Sequence, residues 1–225
     1  MSRVRQLPGG GRAVEVEPER LLGWFERFAA NHEGTESTTV EPRHVRVLTS
    51  DGASATVRVP FEELSPPHGT RPGLEVDGLV EHVGRSRRTG LVLARHGAHS
   101  VGVAQGEEVL FSSTDRHHLQ GRSKAGGWSQ KRYARRRQGQ ARRAVSAVAD
   151  TVAEVLLPER ERLEGLVLGG DRGVLSELGS DTRLAELWRW AEPRVLDVAE
   201  PRRSVLERAA RRARAVEVEV REPGG

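Results

Sequence analysis

The sequence predicts a mixed β-sheet flanked by helices, α+β to α/β in class, preceded by a small N-terminal α+β region. Three observations predict it. Short alternating apolar runs crowd between Thr89 and Phe111, a long helical stripe follows, and beyond Pro158 strand-like and helix-like segments alternate with short connections. Such alternation implies partly parallel strands covered by helices.

Taken in order, Val14 and Val16 alternate with Glu15 and Glu17 as a short strand does. Pro18 then opens an amphipathic helix through Leu21, Leu22, Trp24, Phe25 and Phe28, closing near Asn31 and Gly34. Val45 with Val47, and Ala55 with Val57 and Val59, form two alternating runs around Ser50-Asp51-Gly52, which predicts a hairpin. Prolines 60, 66 and 67 and the glycines at 69 and 73 break periodicity, so a boundary is expected between Ser65 and Gly84. We place the N-terminal region at 1–75 and the second domain at 76–225.

Gly90 to Ala94, His99 to Val103 and Glu108 to Phe111 read as three strands of an antiparallel meander. A long helix is predicted from Ser129 or Gln130. Its second half carries Ala141, Ala144, Val145, Val148, Val152, Val155 and Leu156 at three- and four-residue spacing, a core-facing stripe. Its first half is cationic, and Gly139 within it weakens the helix by about 1 kcal/mol relative to alanine. Leu166 to Leu168 then form a strand ending at Gly169-Gly170, followed by helices near 174–178 and 184–190. A strand over 194–198, a helix over 202–214 and a last strand through Val216, Val218 and Val220 complete one C-terminal domain.

Composition narrows the chemistry. There is no cysteine among the 225 residues, which removes thiolate catalysis and cysteine-bound zinc. No positive start followed by a long apolar run marks a signal peptide or membrane span, so a reducing cytoplasm and no membrane partner are expected. Net charge is +4, but Arg116 to Ala149 holds eight Arg and two Lys with no Asp or Glu; the remainder therefore carries 4 − 10 = −6. A basic segment on an acidic body points to a polyanion, and nucleic acid fits best.

That segment contains Arg122 to Arg143, RSKAGGWSQKRYARRRQGQARR. Gly126 and Gly127 free the backbone for positive φ or close approach. They would present Gln130 at a turn-to-helix junction, where unpaired amide N–H groups favour negative charge. Trp128 suits base stacking or a hydrophobic anchor for the loop, whereas core packing suits Tyr133 better than stacking.

Three other constellations carry less. His96, His99, His117 and His118 could suggest a metal site, but no carboxylate or thiol falls at ligand spacing around the adjacent pair His117 and His118, so no metal is expected. Gly169-Gly170-Asp171-Arg172-Gly173 lacks the residues of a nucleotide-phosphate loop and reads as a structural turn. Trp24, Trp188 and Trp190 lie on apolar faces and are expected in the core.

From Thr89 onward the order TGLVLARHGAHSVGVAQGEEVLF, GGWSQ, KRYARRRQGQARRAV and LEGLVLGGDRGVLSEL resembles the central domain of archaeal and eukaryotic class-one peptide chain release factors. Gly127-Trp128-Ser129-Gln130 is similar to the Gly-x-x-Gln form of the Vms-like release factors, peptidyl-tRNA hydrolases of ribosome quality control, and most of all to their actinobacterial branch. The resemblance spans roughly Gly90 to Val220, and RLLGWFERFAANHEG resembles that branch's leader.

The resemblance implies a catalytic loop at 122–130, with Gly126, Gly127 and Gln130 as catalytic residues. Gln130 would orient water against the ester joining nascent peptide to tRNA, and the mechanism implied uses neither cofactor, metal nor covalent nucleophile. Lys124, Trp128, Lys131, Arg132, Arg135, Arg136, Arg137, Arg142 and Arg143 would contact RNA, the partners being the large ribosomal subunit with its rRNA and peptidyl-tRNA. The chain leaves no room for a decoding domain, so release independent of a stop codon, in ribosome rescue, is expected. A non-catalytic Pelota-like rescue module and a nuclease cutting the tRNA 3′ end are the alternatives.

Overall fold

The structure, a computed structural model, describes residues 3–95, 97–116 and 129–224, with side chains throughout except at 129–138 and 140–142. Among them are twelve strands and six α-helices. The chain divides into two compact units, Met1–Arg85 with Arg212–Gly225, and Ser86–Arg211.

The first unit is built on a seven-stranded antiparallel sheet. Its strands are β1 (Val4–Gln6), β2 (Arg12–Val16), β3 (Thr35–Val40), β4 (His44–Thr49), β5 (Ser54–Arg58), β6 (Gly69–Pro72) and β12 (Val216–Arg221). They lie in the order β1-β2-β12-β5-β4-β3-β6. Helix α1 (Pro18–Asn31) starts on the proline foreseen and turns Leu21, Phe25 and Phe28 inward, and α2 (Asp77–Gly84) adds Leu79 and Val83. These pack on Val16, Val45, Val47, Val57 and Val218. Each large apolar side chain so buried contributes about 1.5–3 kcal/mol. Trp24 is half-buried and stacks on Phe28 at 5.5 Å between centroids. The predicted β4–β5 hairpin forms, its turn tied by Asp51 Oδ1, which accepts from the Thr49 hydroxyl at 2.6 Å and the Ala53 N–H at 3.1 Å.

The second unit holds a five-stranded mixed sheet. Strands β7 (Arg88–Arg95), β8 (Ala98–Gln105) and β9 (Glu108–Arg116) form the predicted meander, and β10 (Gly165–Gly170) and β11 (Ala191–Leu196) join it in the order β11-β10-β7-β8-β9. β10 runs parallel to both β7 and β11, as the alternation of strands and helices implies. Helix α3 (Ser129–Leu156) lays Val148, Ala149, Val152 and Leu156 on Val92, Val101 and Leu166. α4 (Arg172–Gly179) and α5 (Ala185–Trp188) extend this core, and α6 (Arg203–Arg214) brings Leu206 to within 2.8 Å of the Cβ position above Gly102.

Several expectations are corrected. Residues 76–85 and the last strand lie in the first unit, not in the second domain as the 75/76 boundary supposes. Valines 216, 218 and 220 alternate as expected, but β12 inserts between β2 and β5. A two-residue period specifies a strand with one apolar face without naming its neighbour. The stretch between Ser65 and Gly84, where a boundary is expected, contains β6 and α2, and β3 is also new. Trp190 is 55% exposed rather than buried, at the turn where its carbonyl accepts from Leu166 N–H. Among the described residues no helix is long and apolar enough to cross a membrane.

Candidate RNA-facing catalytic segment

The segment singled out by the sequence begins where β9 ends at Arg116 and runs into α3. Gly126, Gly127, Lys124 and Trp128 lie outside the described residues. Gln130 is the second residue of α3, so the expected turn-to-helix junction falls at Ser129. Lys131, Arg132, Arg135, Arg136, Arg137 and Arg142 follow on the same helix, their side chains outside the description, and Arg143 is exposed.

Helix α3 is long relative to its support. Val148 is the first buried side chain described on it, and at about 1.5 Å per residue the helix reaches about 28 Å from there back to Ser129. The half bearing the arginines therefore depends on how firmly the other half is held.

Polar contacts hold that half and the turn that follows it. Thr151 donates its hydroxyl proton to the Ala147 carbonyl at 3.1 Å, so its oxygen accepts from His99 Nε2–H at 2.9 Å. His99 is fully buried on β8, which makes this bond a fixed link between helix and sheet. At the other end, Arg88 Nε and Nη2 both donate to one Glu159 carboxylate oxygen, at 3.0 and 2.6 Å. The Arg88 backbone N–H meets Glu164 Oε2 at 2.7 Å, and Glu164 N–H returns to the Arg88 carbonyl at 2.8 Å. On the outer side Arg183 joins Asp150 of α3 at 2.8 Å to Asp181 at 2.7 Å. Hydrogen bonds from Arg183 lower the pKa of Asp181, and those to Asp181 and then Asp150 raise that of Arg183. The exposed position of this last bridge keeps its contribution small.

The glycine-rich turn after β10 is structural, as the sequence reading has it. Gly170 has φ +107°, and a Cβ there would stand 2.1 Å from the Ala94 carbonyl oxygen. A Cβ on Gly169 would meet Leu93 at 2.7 Å. Asp171 caps α4 by accepting from the Gly173 and Val174 N–H groups, which occupies the donors a phosphate would need. His96, His117 and His118 lie outside the described residues, and His99 is committed to Thr151. Among the described residues no group of three or more His, Asp or Glu could hold a metal ion.

Arg88, Glu159 and Thr151 are the residues that sequence reasoning missed, as is the bond by which His99, singled out there only as a histidine, holds Thr151. No local spacing pairs them, because each contact joins positions at least fifty residues apart. Only the parallel pairing of β10 with β7 brings the end of α3 back to Arg88.

Comparison with known proteins places the chain. It is 26% identical over 161 residues to peptide chain release factor subunit 1 of Thermococcus sibiricus, a match covering 68% of this chain and 34% of that protein. The chain thus spans about a third of the length of that curated relative. Among solved structures, the archaeal translation termination factor aRF1 aligns with a TM-score of 0.45 and 15% identity over 89% of this chain and 63% of that one. The Saccharomyces cerevisiae translation termination-like factor Dom34 aligns at 0.36 and 8% identity, over 92% and 65%. A family model matches residues 87–219, from the start of the meander into β12, and by that match the chain belongs to the Actinobacteria/chloroflexi VLRF1 release factor family.

Proposed function

We propose that this protein is a stop-codon-independent peptidyl-tRNA hydrolase, which frees nascent chains from stalled or split large ribosomal subunits in the cytoplasm. The observation that carries the proposal is the start of α3 at Ser129, which puts Gln130 in a first helical turn. There the backbone N–H groups lack intrahelical acceptors and can serve a developing negative charge.

In the proposed reaction a water oxygen attacks the ester carbonyl carbon, and the bond from that carbon to the tRNA 3′ oxygen breaks. The Gln130 backbone N–H stabilises the oxyanion, and its side chain helps position the water. Glutamine does not titrate usefully, so the water proton passes to the leaving 3′ oxygen through substrate hydroxyls, rRNA or solvent. Gly126 and Gly127 give the loop backbone its freedom of approach. The cationic positions from Lys124 to Arg143 hold phosphates of rRNA and of the tRNA acceptor end, which positions without specifying.

The test is release of peptide from peptidyl-tRNA on isolated large subunits, comparing wild type with Gln130→Ala. Release by wild type, with a strong loss in the variant, supports the proposal. Equal release by both removes the Gln130 side chain from the chemistry. The RNA product separates the alternatives: tRNA of full length with its terminal hydroxyl means ester hydrolysis, a shortened tRNA means a nuclease, and no product means a non-catalytic module.

A further inference from the structure

The seven-stranded sheet buries one face under α1 and α2 and leaves much of the other open. On that open face Thr70, Thr39, Arg46 and Thr56 form one continuous row across β6, β3, β4 and β5, each opposite the next. His44 and Arg58 form the adjoining row on β4 and β5. Arg46, Arg58, His44 and Thr70 are exposed, and the Thr39 and Thr70 hydroxyls lie 2.9 Å apart. Among the described residues neither the Arg46 nor the Arg58 guanidinium has a hydrogen-bond or ion-pair partner. Within these four strands neither row contains a carboxylate, but Glu41, just past β3, borders the second beside His44, its N–H on the His44 carbonyl at 2.8 Å. The nearest along the first row is Glu219 of β12, opposite Thr56, while Glu217 is taken up by Arg5 at 3.4 Å.

Arginines on adjacent strands, set diagonally, lie about 7–8 Å apart. With hydroxyls between and beside them they offer charged and neutral donors to a row of anionic oxygens. The four strands carry no Phe, Tyr or Trp, so they provide no platform for the stacked bases of a single strand. Leu48 is the one large apolar side chain on this face and is half-buried, which gives a bilayer nothing to take up. With two exposed guanidiniums, hydroxyls between them and no aromatic rings, the surface matches the phosphates and 2′-hydroxyls of a double-stranded RNA helix.

We propose that this open face is a second RNA-docking surface, in which Arg46 and Arg58 grip the phosphate backbone of an A-form RNA helix without reading its sequence. The family match begins at residue 87 and does not reach it. The proposal goes beyond the hydrolase reading and does not depend on Gln130.

The experiment uses the full chain and a fluorescein-labelled RNA hairpin with a fully paired stem, titrated by anisotropy over a range of salt. Arg46→Ala/Arg58→Ala should weaken binding about ten-fold at low salt and flatten the dependence of log K on log salt by about 2. Glu219→Lys should tighten binding and steepen the slope by about 1, a gain that a folding defect cannot produce. Hydrogen exchange should show RNA-dependent protection in β4 and β5, and it separates this face from any RNA bound by the arginines of α3. Unchanged affinity and slope in both variants would overturn the proposal. So would tighter binding of a single-stranded RNA of the same length, or transfer of the same Arg46 and Arg58 dependence to phosphatidylserine vesicles. Gln130→Ala should bind the hairpin as wild type does, so loss of release in that variant and loss of docking are separate results.

Discussion

Arg88 places two guanidinium nitrogens on a single carboxylate oxygen of Glu159, joining the first residue of β7 to the turn that ends α3. The two side chains are only 21% and 16% exposed, so this pair is better shielded than the bridge from Arg183 to Asp150 of α3, at 48% and 64%. It fixes where the long helix stops.

Replacing Glu159 with alanine should cost about 1–3 kcal/mol, because a half-buried guanidinium loses a charge-assisted pair. Thermal melting measures it. Arg88→Ala/Glu159→Ala together should cost clearly less than the sum of the single variants, and strict additivity would contradict the pair.

His99 and Thr151 provide a second check on the same helix. Thr151→Val keeps the shape but leaves the buried His99 Nε2–H without its acceptor, at a cost of about 1–3 kcal/mol. Thr151→Ser should recover most of it. Chemical denaturation of both variants tests this.

Gly170→Ala should destabilise by at least about 2 kcal/mol, since it combines a positive φ with a Cβ thrust against the Ala94 carbonyl. A variant that melts like wild type would mean that the β10–α4 turn does not have this geometry.

The β4–β5 turn should respond to acid. Hydrogen bonds from the Thr49 hydroxyl and the Ala53 N–H, with a further one from His32, lower the Asp51 pKa to about 2. A depressed carboxylate stabilises the fold above its unfolded value of about 3.9 and loses that contribution as pH falls through about 2. Asp51→Asn should therefore flatten the stability profile between those values, measured by denaturation at a series of pH values. A parallel profile for the variant would contradict it.

Within the loop, Gln130→Ala leaves the backbone N–H in place and should slow release only through water placement. Gln130→Pro deletes that N–H at a position in the first turn, where proline is tolerated. Its release rate should fall by about 100- to 1000-fold if the amide stabilises the oxyanion. Equal rates for the two variants would assign the effect to the side chain.

Local chemistry alone determined a good deal of this protein. Pro18 with Leu21, Phe25 and Phe28 specified α1, Ser50-Asp51-Gly52 specified a hairpin, and the apolar stripe from Val145 to Leu156 specified the half of α3 that meets the sheet. These signals are short-range, since capping, turn geometry and helical period are set within a few residues. The arginine cluster beside Gly126, Gly127 and Gln130 was equally legible, because charge density and glycine content are properties of the chain itself.

Tertiary structure decided what such signals cannot address. Valines 216, 218 and 220 announced a strand but could pair in either sheet, and in the fold they pair between β2 and β5. β6 and α2 are too short and too interrupted by proline and glycine to stand out; β6 forms by pairing with β3, and α2 by burying Leu79 and Val83. The grip of Arg88 on Glu159, the His99–Thr151 bond and the row from Thr70 through Arg46 to Thr56 exist only once distant segments pair. A long-range contact depends on register and packing, and no local sequence pattern encodes either.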